Sequence, residues 1–423
     1  MRGVSRQGTT WQADTEPLKS LYYRVRLRAH RGGRRQGGHV EATNAGDRAP
    51  KGSGRFSHKV SVVVPTYNME RYLDQCLTSI QMQPFANIEV ICVNDGSTDG
   101  SLGIMREHAA RDPRIHVIDK PNAGYGAACN TGIDRATGDY VAIVEPDDYL
   151  TGNMFGDLLA FADSLDGGPV DIVKSSYWRI FNSGTPSELR TVCLYQDRVN
   201  PPSQPFAIGD GVELLEHHPS IWTALYRKAF LDEKSIRFRE YPGAAWADNP
   251  FLVETLCQTN RIAYVNRPYY NYREDTEEKL VASTRRDPLL PIKRWNDMQD
   301  IVERIGATDR RVLSAQTKRA INYCGLAIDA VGLDYPGVRE AVTDVYRKLD
   351  YDLVMEQPLV TPAAKRLYCE LTDRPEPKIG RLSMLPAAAG EVWYRLCHTS
   401  PSYTWFSITS FLRHRRGRAG GDE

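Results

Sequence analysis

Between residues 59 and 148 the chain repeats one pattern: a short apolar run, a polar turn, then apolar positions at helical spacing. Val60 to Val64 is the first run, β-branched and apolar, the pattern of a strand buried on both faces. Pro65 is expected to end it. Asn68 then stands where a helix N-cap is expected, and Leu73, Cys76, Leu77 and Ile80 follow at helical intervals. Ile88 to Val93 reads as a second strand, stopped by Asn94-Asp95-Gly96-Ser97. Ser97 or Thr98 is the expected cap of a helix carrying Leu102 and Met105. Ile115 to Ile118 is a third strand, residues 124–136 a helix closed by Gly138, and Tyr140 to Val144 a fourth strand.

Strands joined by helical crossovers predict a mostly parallel sheet with helices on both faces, an α/β fold. In such sheets ligands bind beyond the carboxyl ends of the strands. The informative segments are therefore Pro65-Thr66-Tyr67-Asn68, Asn94-Asp95-Gly96-Ser97, Lys120-Pro121-Asn122-Ala123-Gly124 and Glu145-Pro146-Asp147-Asp148. Further on, strands are expected at 170–177, 222–226, 261–265 and 268–273, and helices at 209–217 and 249–259. Leu289 to Ile305, Arg310 to Val331, Val338 to Leu349 and Ala363 to Leu371 read as helices, and Asp373 to Lys378 as a linker. The expected organisation is an arm at 1–57, an α/β domain at 58–285, a helical region at 286–372, and a linker with a basic amphipathic tail at 373–423.

Composition is ordinary for a globular protein, with 41% apolar and 25% charged residues. It excludes a collagen-like, wholly disordered or disulfide-scaffold chain. A net charge of +1 argues against a dedicated nucleic-acid binder. That charge is unevenly spread: residues 1–57 hold 12 Lys/Arg and 4 Asp/Glu, a net +8, and the remainder carries −7. The head, with its Arg-Gly-Gly-Arg-Arg segment, reads as a mostly disordered arm. The eight cysteines form no C-x-x-C pair, and several sit in apolar runs, as expected of reduced thiols in a cytoplasmic protein. No run is long enough to span a bilayer, and no signal-peptide core is present at the N-terminus.

Candidate chemistry gathers after the strands. Glu145, Asp147 and Asp148 place three carboxylates in four residues. Two unit charges ~4 Å apart cost ~4 kcal/mol at an effective dielectric of ~20, and a hard divalent cation, Mg²⁺ or Mn²⁺, relieves that repulsion. A solvated acidic turn is the other reading. Asp95 is either turn chemistry or a nucleotide contact, or both. Gly124-Tyr125-Gly126 lacks the third glycine of a dinucleotide fingerprint and is rejected as a nicotinamide site. Asp248, before Asn249-Pro250, is either a helix N-cap or a general base set on a rigid helix end. His217 and His218 cannot face one metal from a helix and are expected at the surface. Arg273 is either a diphosphate clamp or a surface arginine ending a strand.

Taken together, KVSVVVPTYN at Lys59 to Asn68, VNDGSTD at Val93 to Asp99, NAGYGAACN at Asn122 to Asn130 and GDYVAIVEPDD at Gly138 to Asp148 resemble family 2 glycosyltransferases. The likeness continues through Ile221 to Arg227, Trp246 to Phe251 and Tyr270 to Arg273, covering about 59–285. The resemblance implies a GT-A-type open αβα sandwich that binds a nucleotide-diphosphate sugar. By motif match, Pro65, Thr66, Tyr67, Asn68, Glu70, Asp95, Gly96, Ser97, Asn122, Gly124, Asp147 and Arg273 would line the donor site. Asp148, with Asp147, would take a divalent cation, and Asp248 would be the catalytic base of an inverting transfer. Trp222 and Trp246 would face the acceptor. The chain departs from the family at Ala247, where the residue before the base is usually Glu, and at Ala224, where Lys is usual.

Such an enzyme would serve surface polysaccharide or glycolipid assembly, with a saccharide or lipid-linked acceptor and no nucleic-acid partner. A nucleotidyltransferase would want a Gly-rich triphosphate loop with a nearby Lys after the first strand, and Pro65-Thr66-Tyr67-Asn68 offers neither. A non-catalytic sugar-nucleotide binder is the remaining alternative, suggested by Ala247 and Ala224. Finally, Tyr403, Trp405, Phe406, Ile408, Phe411 and Leu412 lead into Arg413, Arg415, Arg416 and Arg418. Aromatics followed by arginines can seat a helix peripherally at an anionic membrane surface; a terminal helix packed on the domain is the other reading.

Overall fold

β1 (Val60–Thr66) and β2 (Ile88–Asp95) are buried at every position and lie side by side in parallel, Val60 opposite Ile88 and Thr66 opposite Asn94. The computed structural model describes residues 58–244, 246–274, 286–375 and 384–398. The arm at 1–57, the tail beyond 398 and part of the expected linker lie outside the described residues. α1 (Glu70–Gln81) connects β1 to β2 and turns Leu73, Cys76, Leu77 and Ile80 inward. α2 (Ser101–Arg111), β3 (Ile115–Lys120), α3 (Tyr125–Arg135) and β4 (Tyr140–Ile143) complete the parallel unit, with β3 on β2 and β4 on β1. The helices therefore cross between parallel neighbours, as the apolar pattern predicts.

Beyond β4 the sheet becomes mixed. β5 (Tyr149–Leu150), α4 (Met154–Asp163), β6 (Ile172–Phe181) and β7 (Leu189–Val192) are followed by α5 (Glu213–Glu216), β8 (Ala224–Arg227), α6 (Lys228–Glu233), α7 (Asp248–Leu256) and β9 (Ile262–Arg273). The strand order is β3-β2-β1-β4-β8-β6-β9-β5, with β7 paired to β6. β8 is antiparallel to both β4 and β6, whereas β9 runs parallel to β6 with a register shift near Ser176. The architecture is a GT-A-type α/β sheet followed by helices.

Several local expectations change. Pro65 does not end β1, which continues to Thr66. Asn68 does not cap α1; Met69 holds that position and Asn68 sits in the left-handed region at φ 55°. Neither Ser97 nor Thr98 caps α2, which starts after Gly100. α3 ends at Arg135, and Gly138 instead lets the chain pass Lys59, whose carbonyl oxygen would lie 2.7 Å from an added Cβ. The two strands expected at 261–273 are one, and the expected helix at 209–217 is a 3-10 turn at Ile208–Gly211 followed by α5.

The C-terminal helices are α8 (Leu290–Arg304), α9 (Arg310–Val331), α10 (Val338–Arg347), α11 (Tyr351–Glu356), α12 (Pro362–Leu371) and α13 (Leu385–His398). α8 packs on α7, and α9 packs on α5 and α8. One continuous apolar core runs from Val60 in β1 to Cys369 in α12, so the expected boundary at 285/286 falls between segments that share a core. Among the described residues no helix is long and apolar enough to cross a membrane. All eight cysteines are free thiols.

Candidate active site

The carboxyl ends of β1, β2 and β3 are laced together by their own polar residues. The Asn68 N–H donates to Ser97 Oγ at 3.0 Å, and Asn68 Oδ1 accepts from the Thr98 N–H at 2.8 Å. Glu70 accepts from the Gly100 N–H at 2.7 Å. Asp95, at the end of β2, accepts from Lys120 Nζ at 2.5 Å and from the N–H groups of Ala123 and Gly124 at 3.0 and 2.9 Å. Asn122 Nδ2 returns a bond to the Asp95 carbonyl at 2.8 Å. Gly96 lies at φ +72°, with the Asn122 nitrogen 2.8 Å from where its Cβ would be. Gly124 is held at φ +95°, and a Cβ there would lie 2.1 Å from the Tyr241 carbonyl oxygen. Asn68, Glu70, Asp95, Gly96, Ser97, Asn122 and Gly124 are thus brought to one end of the sheet, where they shape its rim through one another. Pro65 and Thr66 are buried beneath it, and the Tyr67 ring remains open, 48% exposed.

The acidic segment follows β4. Antiparallel pairing of Tyr149 with Asn271 lays Asp147 and Asp148 beside the end of β9. Asp148 is buried; Oδ1 accepts from the Arg273 N–H at 2.8 Å, Oδ2 makes no hydrogen bond, and the nearby Tyr270 hydroxyl favours the ionised carboxylate. Burial, then the neighbouring Asp147, pushes the Asp148 carboxyl well above the usual range. Asp147 keeps partial exposure. Arg273 is not a surface arginine: it is buried between the Tyr72 and Tyr149 rings, donating to the Asp147 carbonyl, Gln75 Oε1 and Ser183 Oγ.

An orphaned, buried carboxylate oxygen next to a second carboxylate is a cation-seeking arrangement. Among the described residues no three carboxylates, thiols or imidazoles converge to enclose an ion alone. Two carboxylates are fewer donors than a hard divalent cation takes, so an ion held here would need further oxygen ligands from elsewhere.

Glu145 and Asp248 face the same space. The Tyr125 hydroxyl donates to Glu145 Oε1, and the Glu145 N–H donates to the Tyr270 hydroxyl oxygen at 3.0 Å. Burial raises Glu145 to about 8, with Asp147 and Asp248 adding to the effect and Tyr125 opposing it. Burial likewise raises Asp248 to about 6, opposed by the Arg319 charge and the Asn249 hydrogen bond. Both residues keep some solvent-accessible surface although protein surrounds them. Asp248 is the first residue of α7, and the cap position belongs to Ala247.

The two tryptophans separate. Trp222 does not face an acceptor: it is in the core, stacked on Tyr270 at 4.0 Å and on Tyr272 at 5.1 Å. Trp246 stays beside Asp248 at φ 56°, its buried indole N–H unpartnered. The expected surface pair also divides, since His217 is buried and its imidazole is pushed well below the usual value by burial. Sequence reasoning gave no role to Tyr125 and Tyr270, although both lie inside segments that carry the family resemblance, and it missed Gln75, for which no local signal existed. It also missed Asn249, Arg319 and Tyr323; Arg319 and Tyr323 do leave a trace, as an arginine and a tyrosine inside the apolar stripe of α9.

Residues 61–233 match the family model described as Glycosyl transferase family 2. The chain is 32% identical to the uncharacterized glycosyltransferase EpsJ of Bacillus subtilis (strain 168) over 222 residues, 51% of this chain and 61% of that protein. It is 38% identical to a chondroitin synthase of Escherichia coli over 91 residues, 22% of this chain and 13% of that protein. The chain therefore spans less than two thirds of the length of these relatives. In structure it resembles S. aureus TarS 1-349, solved in complex with UDP-GlcNAc, with a TM-score of 0.57 at 21% identity over 78% of this chain and 92% of that one.

Proposed function

We propose, from the match of residues 61–233 to the Glycosyl transferase family 2 model, that the protein moves a sugar from a nucleoside-diphosphate sugar to an acceptor hydroxyl with inversion. The observation that carries this reading is that two acidic groups, Asp148 and Asp248, each lie within electrostatic reach of Glu145. Asp148 presents an unpartnered, buried carboxylate oxygen, and Asp248 sits at the start of α7 within electrostatic reach of Glu145. The Asp148 side suits a diphosphate with its cation. The Asp248 side suits a proton acceptor.

Tyr67 and the laced rim of 95–97 and 122–124 would bind the nucleotide, and Asp147 its ribose. A divalent cation bound by Asp148 would supply the positive charge that a departing diphosphate needs. Arg273 frames the acidic pair from behind through the Asp148 Oδ1 and Asp147 carbonyl contacts. Asp248 accepts the proton of the acceptor hydroxyl as its oxygen bonds to the anomeric carbon, while the bond to the diphosphate breaks and the electron pair leaves with it. One displacement inverts the centre and requires no enzyme nucleophile. Glu145, raised to about 8, would be mostly protonated at pH 7 and so add little second negative charge beside the base.

The acceptor we propose is a saccharide or lipid-linked saccharide of surface polysaccharide or glycolipid assembly, reached from the cytoplasmic side. α13 supports a membrane-facing orientation. Its inner face is fixed by Glu391 on Arg198 at 2.8 Å, while Val392, Trp393 and Leu396 point outward, Trp393 being 69% exposed. The aromatic and arginine-rich residues 403–418 follow it in sequence after four intervening residues.

A thermal-shift panel of UDP, GDP, CDP and their sugars, with and without Mn²⁺, tests the reading. Cation-dependent stabilisation by one nucleotide class is expected, and no stabilisation by any of them removes the proposal. A non-catalytic binder would show that stabilisation without ever releasing nucleoside diphosphate from the matching sugar nucleotide.

A further inference from the structure

α9 lies outside the stretch matched to the family, yet two of its side chains reach the residues around Asp248. Arg319 and Tyr323 are one helical turn apart on the inward face, with Ala315, Ala320 and Cys324. Arg319 is only 4% exposed. Its guanidinium donates to Asn249 Oδ1 at 3.1 Å, to the Leu215 carbonyl at 2.5 Å and to the His217 carbonyl at 3.1 Å. The Tyr323 hydroxyl donates to the same Asn249 Oδ1 at 2.7 Å. Asn249 Nδ2, its oxygen fixed in this way, donates to Asp248 Oδ1 at 3.1 Å.

On the other side of the base, the Trp246 ring meets Tyr323 edge-on, 5.6 Å between centroids. Trp246 holds a left-handed backbone, which costs a bulky residue of order 1–3 kcal/mol and persists only where surroundings enforce it. Ala247 is buried and has no polar group with which to orient its neighbour. Packing alone does not call for an arginine here. A buried guanidinium carries a desolvation cost that an aliphatic side chain of similar length avoids.

We propose that Arg319 and Tyr323 are positioning residues for Asp248, holding it through Asn249 on one side and Trp246 on the other. The inference rests on the reading of Asp248 as the base. The helical region is then part of the catalytic apparatus, supplying an orientation that residue 247 cannot. The groups facing Asp248 are Glu145 from the loop after β4, Tyr125 and Cys129 from α3, Asn249 in α7 itself and Arg319 from α9. Arg319 is the cation among them, so it is the one whose removal favours the neutral carboxyl.

The test is an infrared pH titration of the full chain, with the Asp248 band isolated by subtracting the spectrum of Asp248→Asn. It needs no substrate. In the wild type the protonated band is expected to vanish with a midpoint near pH 6. Arg319→Gln should move that midpoint upward by about one pH unit. Arg319→Lys should leave it nearly in place, because the charge remains, while sugar-nucleotide turnover falls with the loss of the fork. Should Arg319→Gln not fold, Tyr323→Phe keeps the ring against Trp246, removes one bond to Asn249, and should still raise the midpoint measurably. An unmoved midpoint in Arg319→Gln and Tyr323→Phe overturns the proposal. Undiminished turnover in Asp248→Asn is a different failure: it removes the base itself and with it any positioning role.

Discussion

The N–H of Arg273 donates to Asp148 Oδ1 at 2.8 Å, a bond across 125 positions of sequence that leaves Oδ2 of the same carboxylate buried and unpartnered. One oxygen is fixed by the end of β9 and the other makes no hydrogen bond. Asp148→Asn keeps the size and the Oδ1 contact but removes the charge. Mn²⁺-dependent stabilisation by the matching nucleoside diphosphate should fall at least about tenfold in apparent affinity, and a chelator should bring the wild type to the same level. Equal affinity of wild type and variant in a thermal-shift titration would exclude Asp148 as a cation ligand.

Asp248 connects pH with both rate and stability. As a base with a value of about 6, it should give kcat/KM an acidic limb that falls tenfold per pH unit below that point. Its folded value lies above its unfolded one, so the folded state binds the extra proton. Stability therefore declines as pH rises from about 4 to about 6 and stays lower above that. Asp248→Asn should abolish most transfer, by about 10²–10⁴-fold, yet raise stability at pH 7.5 by up to about 3 kcal/mol, less to the extent that water screens the partly exposed carboxylate. Chemical denaturation at pH 4 and pH 7.5 reads the second effect; a variant less stable than the wild type at pH 7.5 would contradict it.

Gly124 is a backbone requirement of the rim at 122–124. A methyl group there would meet the Tyr241 carbonyl oxygen at 2.1 Å, in a conformation already unfavourable for an L side chain. Gly124→Ala should cost more than about 2 kcal/mol and loosen both the Asp95 bond and the Tyr125 N–H bond to the Gly243 carbonyl. A melting temperature within one degree of the wild type would show that the rim yields easily.

The outward face of α13 should matter for membranes and not for folding. With vesicles of phosphatidylglycerol and phosphatidylcholine, the full chain is expected to float. Trp393→Glu combined with Leu396→Glu should remain in solution at an unchanged melting temperature. A chain ending at residue 399 should bind more weakly than the full one, through loss of the arginines at 413–418. Equal flotation of wild type, double variant and truncation would remove the membrane from the proposed function.

The alternation from Val60 to Tyr140 determined the parallel unit, because a strand covered on both faces must be apolar throughout and so leaves an unbroken run. Order and spacing of the four post-strand motifs likewise placed the acidic pair and the rim of 95–97 and 122–124 near one end of the sheet, whereas Asp248 lies outside those motifs. Tertiary structure decided what each side chain does there. Asn68 and Ser97, read locally as helix caps, bond to each other across two loops. Trp222, read as an acceptor platform, is stacked inside the core, and Arg273, read as a clamp or a surface residue, frames Asp148. Arg319 reaches the neighbourhood of Asp248 through Asn249, seventy positions earlier in the chain. Periodicity records only whether a position faces inward. Which distant residue it meets there depends on strand register and helix packing, and these form only when the whole core closes.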